Sequence, residues 1–78
     1  MREVVAYLAR ALVDEPERIS VSEYRGQRGL TYEVRAAPED VGKLVGRGGR
    51  TVKSLRRLVK AAAAPGSRVE VEVLAEGE

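Results

Sequence analysis

With 78 residues and a formal net charge of +2, the chain is long enough for one small domain, residues 1–78, with a thin core. It contains no cysteine and no histidine, which excludes disulfides, thiolate metal sites and histidine-based catalysis, so we expect neither an enzyme nor a cofactor. No apolar run approaches the roughly 20 residues of a membrane span, and the first ten residues lack a signal-peptide pattern, so we expect a cytoplasmic protein.

The first half of the chain predicts one helix followed by a hairpin. Residues 3–13 carry apolar side chains at helical spacing, and Pro16 ends the helix because proline cannot continue the hydrogen-bond ladder. The apolar positions of this amphipathic helix are Val4, Val5, Leu8, Ala11 and Leu12. Residues 19–24 and 30–36 alternate apolar and polar side chains, as half-buried strands do, and the short link between them predicts an antiparallel hairpin.

The second half predicts two helices separated by glycines, and then a last strand. Pro38 suits the first turn of a helix over residues 37–45, and the two acids that follow it suit the positive end of the helix dipole. A further helix is predicted over residues 50–63, where Pro65 and Gly66 end it. Its buried stripe is predicted to contain Val52, Leu55, Leu58, Val59 and Ala62. Residues 68–74 alternate again, with Val69, Val71 and Val73 predicted to point inward.

The element order α-β-β-α-α-β predicts a single α+β domain, ordered over about residues 2–75. Neither of the two central helices is long enough to be stable alone, so we expect both to pack on one face of a three-stranded sheet, together with the first helix. The long connection between the second and third strands permits parallel pairing, whereas the hairpin is antiparallel. The predicted sheet is therefore mixed and covered on one face by three helices.

Three glycines in four residues, Gly46-Arg47-Gly48-Gly49, separate the two central helices. The backbone N–H groups that open the following helix have no helical partners and carry the positive end of its dipole, which favours binding of a phosphate. Glycine lets a sugar–phosphate backbone approach without a Cβ in the way. A tight helix–helix link is the simpler alternative, and a nucleotide P-loop is disfavoured because the G-x-x-x-x-G-K-[ST] spacing after a strand is absent.

The charge distribution supports a polyanionic partner. Residues 41–69 contain eight lysines and arginines and no acid, whereas residues 1–40 and 70–78 carry net charges of −2 and −4. Arg47 and Arg50 flank the turn, so we assign them to anion binding, while Arg57 and Lys60 are better explained as a solvated helix face. Only 4% of residues are aromatic, so base stacking on rings such as Tyr24 cannot be the main contribution to binding.

The segment VGKLVGRGGRTVKSLRRLV, residues 41–59, resembles the core of a KH domain, whose hallmark is a GxxG loop between two helices. The whole chain is similar to the small stand-alone KH proteins of bacteria, the KhpA family, with the type II order of elements. This resemblance implies single-stranded RNA binding, and a role as an RNA chaperone or post-transcriptional regulator. One departure is Gly48, which stands where the family has a larger residue and predicts a more flexible loop.

Carried onto this sequence, the resemblance implies three groups of site residues. The RNA backbone would be held by Gly46, Arg47, Gly48 and Gly49. One side of the groove would be lined by Gly42, Lys43, Val45, Arg50, Thr51 and Ser54. The loop between the first two strands would close the other side with Arg25 and Arg28. No catalytic or metal-binding residue is expected.

A second hypothesis is a protein–protein module with residual RNA binding. The resemblance implies self-pairing, or pairing with a larger Jag-type KH protein. The alanine run 61–64 offers a flat surface of small residues, although the same alanines also simply strengthen a helix. Separately, eleven arginines against three lysines and the absence of asparagine suggest a thermophilic source, although a GC-rich genome would give the same bias toward arginine and alanine.

Overall fold

The computed structural model describes residues 1–27 and 29–77. The helices and strands are α1 (Arg2–Leu12), β1 (Ser20–Gly26), β2 (Gly29–Ala36), α2 (Val41–Val45), α3 (Arg50–Ala62) and β3 (Val69–Ala75). Short 3₁₀ turns precede β1, α2 and α3 at Pro16–Arg18, Pro38–Asp40 and Arg47–Gly49. The predicted order α-β-β-α-α-β is confirmed. In the part of the chain that is described, no helix has the length and apolar character that crossing a membrane requires.

The sheet is mixed, as predicted, with strand order β1-β2-β3. β1 and β2 are antiparallel, from the pair Ser20–Arg35 at one end to Gly26–Gly29 at the hairpin. β2 and β3 are parallel, from Leu30–Val69 to Ala36–Ala75. The helices α2 and α3 form the crossover between these two parallel strands, because a direct turn cannot connect strands that run in the same direction.

The hydrophobic core lies between one face of the sheet and the three helices. The sheet contributes alternate residues, among them Tyr32, Val34 and Val71, since side chains of a strand alternate between its faces. The helices contribute Val5 and Ala9 of α1, Leu44 of α2, and Leu55 and Val59 of α3. The chain is therefore an α+β domain with a three-stranded sheet and three helices, in agreement with the sequence.

The predicted apolar stripes of α1 and α3 are only partly buried. In α1 the buried residues are Val5, Ala6 and Ala9, whereas Val4 and Leu12 are exposed. In α3 the side chain of Leu58 is 56% exposed and Ala62 is also on the surface. A helix that lies on a narrow sheet buries only the positions that point straight at it, so the flanking apolar positions stay outside.

Candidate nucleic-acid interface

The turn between α2 and α3 has a backbone that favours glycine at three positions. Gly46, Gly48 and Gly49 have φ values of 76°, 64° and 78°. The ψ of Gly46 is 168°, a combination that residues with a Cβ essentially never adopt. A Cβ on Gly46 would also lie 2.3 Å from Oγ1 of Thr51. Gly46 is thus required both by its conformation and by the close packing of Thr51.

Three backbone hydrogen bonds shape this turn, one of them from the N–H of Arg50 to the carbonyl oxygen of Arg47. The N–H of Gly46 donates to the carbonyl oxygen of Gly42 at 2.8 Å, and the N–H of Gly49 donates to the carbonyl oxygen of Gly46 at 3.0 Å. No side chain caps the start of α3. The first N–H groups of this 13-residue helix therefore face the turn with the positive end of the helix dipole.

The surface around the turn is open and cationic. An added Cβ on Gly48 would have nothing within 4 Å, and the side chains of Arg47 and Arg50 are exposed. Neither arginine forms an ion pair with any residue in the described ranges 1–27 and 29–77. Two guanidinium groups without an ion pair in those ranges, beside the start of a helix, can bind a phosphate from both sides.

Lys43 differs from these arginines because it is already paired. Its ammonium group contacts the carboxylate of Asp14 and lies 3.2 Å from Oδ1 of Asp40. Hydrogen bonds to Asp14 and then to Asp40 raise the pKa of Lys43. Lys43 is therefore at the predicted position beside α2, but part of its charge is neutralised within the protein.

Asp40 is a structural residue that the sequence interpretation missed. It is 1% exposed, and its carboxylate accepts hydrogen bonds from the backbone N–H groups of Asp14 (3.3 Å) and Glu15 (3.0 Å). Burial alone would raise the pKa of Asp40, but the bond from Glu15, the contact with Lys43 and the bond from Asp14 outweigh it and lower the pKa. The only signal in the sequence is an acid three residues before a lysine at a helix start.

The other predicted residues lie on two flanks of the turn. Gly42 and Lys43 are exposed on α2, and Val45 is half-buried. On α3, Arg50, Thr51 and Ser54 line one wall of a pocket of about 360 Å³ between α1 and α3. The remaining lining residues are apolar: Leu8, Ala11, Leu12, Leu55 and Leu58. Sequence reasoning did not predict this pocket, because α1 lies about 40 residues earlier in the chain.

Arg25 does not lie beside the turn. It pairs with Leu30 at the hairpin end of the sheet, whereas α2 follows Ala36 at the other end of β2, about 20 Å away along the strand. Closure of the groove by Arg25 therefore stays a prediction. The antiparallel register carries the hairpin away from the start of α3, and the Arg25 side chain instead pairs with Glu23 at 3.0 Å. Arg28 lies outside the described residues.

Comparison with known proteins identifies the class of domain. Residues 2–73 match the profile of a family described as KhpA/KhpB, KH domain, so the glycine turn between two helices belongs to a KH domain. The "RNA-binding protein KhpA" of Clostridium perfringens is 41% identical over 75 residues, which cover 95% of this chain and 100% of that protein.

Two further relatives carry the same name. The protein of Caldanaerobacter subterraneus is 44% identical over 75 residues, covering 95% of this chain and 100% of the relative. The protein of Mycobacterium tuberculosis is 44% identical over 69 residues, covering 88% and 86%. The chain belongs to the KhpA/KhpB family of KH domains.

Proposed function

We propose that this chain binds single-stranded RNA at the turn Gly46–Gly49 and the start of α3, and acts in the cytoplasm as an RNA chaperone or post-transcriptional regulator rather than as an enzyme. The observation that carries the proposal is the glycine backbone of the turn, exposed between the side chains of Arg47 and Arg50, which form no ion pair with the residues that the structure describes. The family supplies the ligand class, because similar proteins are named RNA-binding proteins.

The geometry suggests that phosphates and bases contact different parts of the site. Phosphate oxygens accept hydrogen bonds from the first N–H groups of α3 and from Arg47 and Arg50. Bases rest on the half-buried side chains of Val45 and Val52, which flank the turn. Leu44 is fully buried, so it belongs to the core and does not contact a base. Backbone contacts dominate, so binding should tolerate different sequences.

The test is fluorescence anisotropy of a labelled single-stranded RNA with the double variant Arg47→Asp, Gly48→Asp. We expect binding to be lost, because the change removes one positive charge and adds two negative charges where phosphates approach. The fold should be kept, since position 48 has open space and aspartate tolerates a left-handed backbone. For the wild type, log K should fall with log salt by about 0.7 for each phosphate contacted.

A matched control is Arg10→Asp, Ser20→Asp, which changes the net charge by the same amount at two exposed positions of α1 and β1. Arg10 lies on the flank of α1 opposite to Leu8 and Leu12, by helical geometry. The control should retain binding. If the double variant at the turn binds as tightly as this control, the turn is not the RNA site.

The second candidate function is pairing with another KH protein, either a second copy of this chain or a larger Jag-type protein. A specific observation favours it: large apolar side chains are exposed on α1 and α3, and two of them, Leu12 and Leu58, line one pocket between these helices. We call this the α1–α3 apolar surface; its residues are Val4, Tyr7, Leu12 and Leu58. Tyr7 alone is 72% exposed. This surface is a better candidate than the alanine run 61–64, since it buries more apolar area.

Sedimentation of the wild type and of Leu58→Lys across micromolar concentrations tests self-pairing. We expect a wild-type dimer and a monomeric variant, because a lysine at the centre of an apolar contact must be desolvated. Lys53→Gln, on the solvent face of the same helix, is the control and should leave the dimer intact. A wild type that stays monomeric throughout argues against self-pairing and leaves the larger Jag-type partner to be tested. RNA binding and pairing are compatible functions.

A further inference from the structure

A row of cations follows the solvent face of α3. Arg50, Lys53, Arg57 and Lys60 are spaced by three, four and three residues, which places them on one side of the helix. All four are exposed. None forms an ion pair with a residue in the described part of the chain. Like charges at this spacing repel one another, and α3 contains no acid that could offset the repulsion within the helix.

The contrast with other cations makes this row unusual. Arg18, Lys43 and Arg56 each pair with a carboxylate. Arg56 is on α3 itself, next in sequence to Arg57, and lies 3.7 Å from Glu70 of β3. Ion pairing thus occurs on the flank of α3 that faces the sheet edge, whereas the cations of the solvent face form no ion pair within the described residues.

The row ends at an open pocket of about 640 Å³ at the far end of α3. Its walls include Lys60, the hairpin residues Tyr24 and Arg25, and Arg68, which precedes β3. Tyr24 is 53% exposed, so its ring is accessible. Glu70 also lines the pocket, but its carboxylate is paired with Arg56. Arg25 is paired with Glu23, so Lys60 and Arg68 supply the uncompensated charge.

We propose that the cation row and the pocket form one path for an RNA strand, which continues from the glycine turn to a second nucleotide site at the far end of α3. Phosphates follow Lys53 and Arg57. The last nucleotide places its phosphate between Lys60 and Arg68 and stacks its base on Tyr24. The inference rests on the proposed function, because the strand is the same one that binds at the turn.

The dimensions set the length of RNA that this path needs. Arg50 and Lys60 are ten residues apart on a helix, which corresponds to about 15 Å. A KH loop clamps about four nucleotides, so the pocket would take nucleotides beyond those held at the turn. A repeated charge spacing together with an aromatic ring fits a nucleic-acid strand better than a free phosphate, which would use only one such position.

The experiment compares two labelled RNAs, of about four and about twelve nucleotides, by fluorescence anisotropy. The far-end variant is Lys60→Gln, Arg68→Gln, and a second variant is Tyr24→Ala. The control Arg2→Gln, Arg10→Gln removes the same charge from exposed positions of α1. All substituted side chains are on the surface, and binding of the short RNA reports that each variant is folded.

We expect the far-end variant to bind the long RNA about tenfold more weakly than the control, with a salt slope lower by about 0.7 for the one phosphate contact that is lost. Its affinity for the short RNA should stay within about twofold. Tyr24→Ala should weaken binding of the long RNA alone, by about fivefold or more.

A long strand can also bind a short site in more than one register, which raises its affinity whether or not it contacts the far end of α3. If the ratio of long-RNA to short-RNA affinity is the same in the far-end variant as in the control, the extended path is wrong while binding at the turn stands. If the wild type binds neither RNA, the proposed function itself fails.

Discussion

At the scale of single residues, two glycines of the same turn have different reasons to be glycine. Gly46 combines φ 76° with ψ 168° and packs against Thr51, whereas Gly48 has φ 64° and ψ 18° and faces open space. The left-handed conformation of Gly48 is one that asparagine or aspartate also adopts. Asparagine or aspartate at this position is thus compatible with the same turn.

Alanine substitution separates these two cases. We expect Gly46→Ala to lower the free energy of unfolding by more than about 2 kcal/mol, because a forbidden conformation and a steric clash add together. Gly48→Ala should cost about 1 kcal/mol, from the left-handed backbone alone. Urea denaturation of both variants measures the difference. Equal losses would contradict the requirement for glycine at position 46.

Lys43 and Asp40 show what a single sequence leaves hidden at this scale. The resemblance to KH domains assigned Lys43 to RNA, and the structure adds two carboxylate partners. Asp40 suited a helix start by its charge, but its burial depends on N–H groups 25 and 26 residues earlier in the chain. Local patterns do not report such distant partners, so this pair was not predictable.

At the scale of elements, the hairpin and the parallel strand pair meet at Gly29. Its φ is 130°, and a Cβ there would lie 2.2 Å from the carbonyl oxygen of Arg68. The next N–H, that of Leu30, donates to the same oxygen at 2.9 Å and begins the pairing of β2 with β3. The sequence placed Gly29 in a loop, and the structure assigns it to this junction.

Gly29→Ala should therefore destabilise the fold by more than about 2 kcal/mol, since β3 must move to make room. The matched change Gly26→Ala should have an effect within about 0.5 kcal/mol, because the nearest atom to an added Cβ is 4.0 Å away and φ is not positive. Thermal unfolding followed by circular dichroism checks both. A stable Gly29→Ala variant would mean that the β2–β3 junction is less tightly packed than described.

The order and pairing of elements were predictable, whereas the faces of the helices were not. Alternation and glycine placement are local signals, so β1, β2, β3 and the turn were found within one or two residues. The exposed Leu58 was predicted to be core, because helical spacing alone gives the same apolar stripe whether its flank meets the sheet, a partner or water.

At the scale of the whole molecule, carboxylates join segments that are far apart in the chain. Asp40 holds residues 14 and 15 against α2, and Glu76 after β3 pairs with Arg18 before β1. The hydrogen bond from Arg18 lowers the pKa of Glu76, and that from Tyr32 lowers the pKa of Glu23. Each carboxylate favours its charged form in the folded state, so protonation at low pH weakens these links between segments.

These lowered pKa values predict the direction of acid sensitivity. The unfolded chain binds protons at the ordinary pKa values of 3.8 for aspartate and 4.5 for glutamate. The stability that these carboxylates contribute is therefore fully present above that pH range, and it is lost as the pH falls through their lower pKa values in the folded state. Urea midpoints measured from pH 7 downward should show this loss. Asp40→Asn should reduce the acid dependence, and Glu17→Gln, at an exposed position, should not. An unchanged acid dependence in Asp40→Asn would show that Asp40 does not contribute to it.

The same curves test the suggestion of a thermophilic source, which stays a prediction. A composition rich in arginine and free of asparagine predicts a thermal midpoint above the range of about 45–65 °C that is usual for mesophilic domains.

The sequence by itself determined the element order, the mixed sheet and the glycine turn, because strand alternation, helix spacing and glycine conformation are properties of neighbouring residues. Tertiary structure alone decided which cations remain unpaired, where Arg25 lies, and which apolar residues of α1 and α3 stay exposed. Those outcomes depend on contacts between residues that are distant in the chain, and such contacts exist only once the sheet and the three helices have packed together.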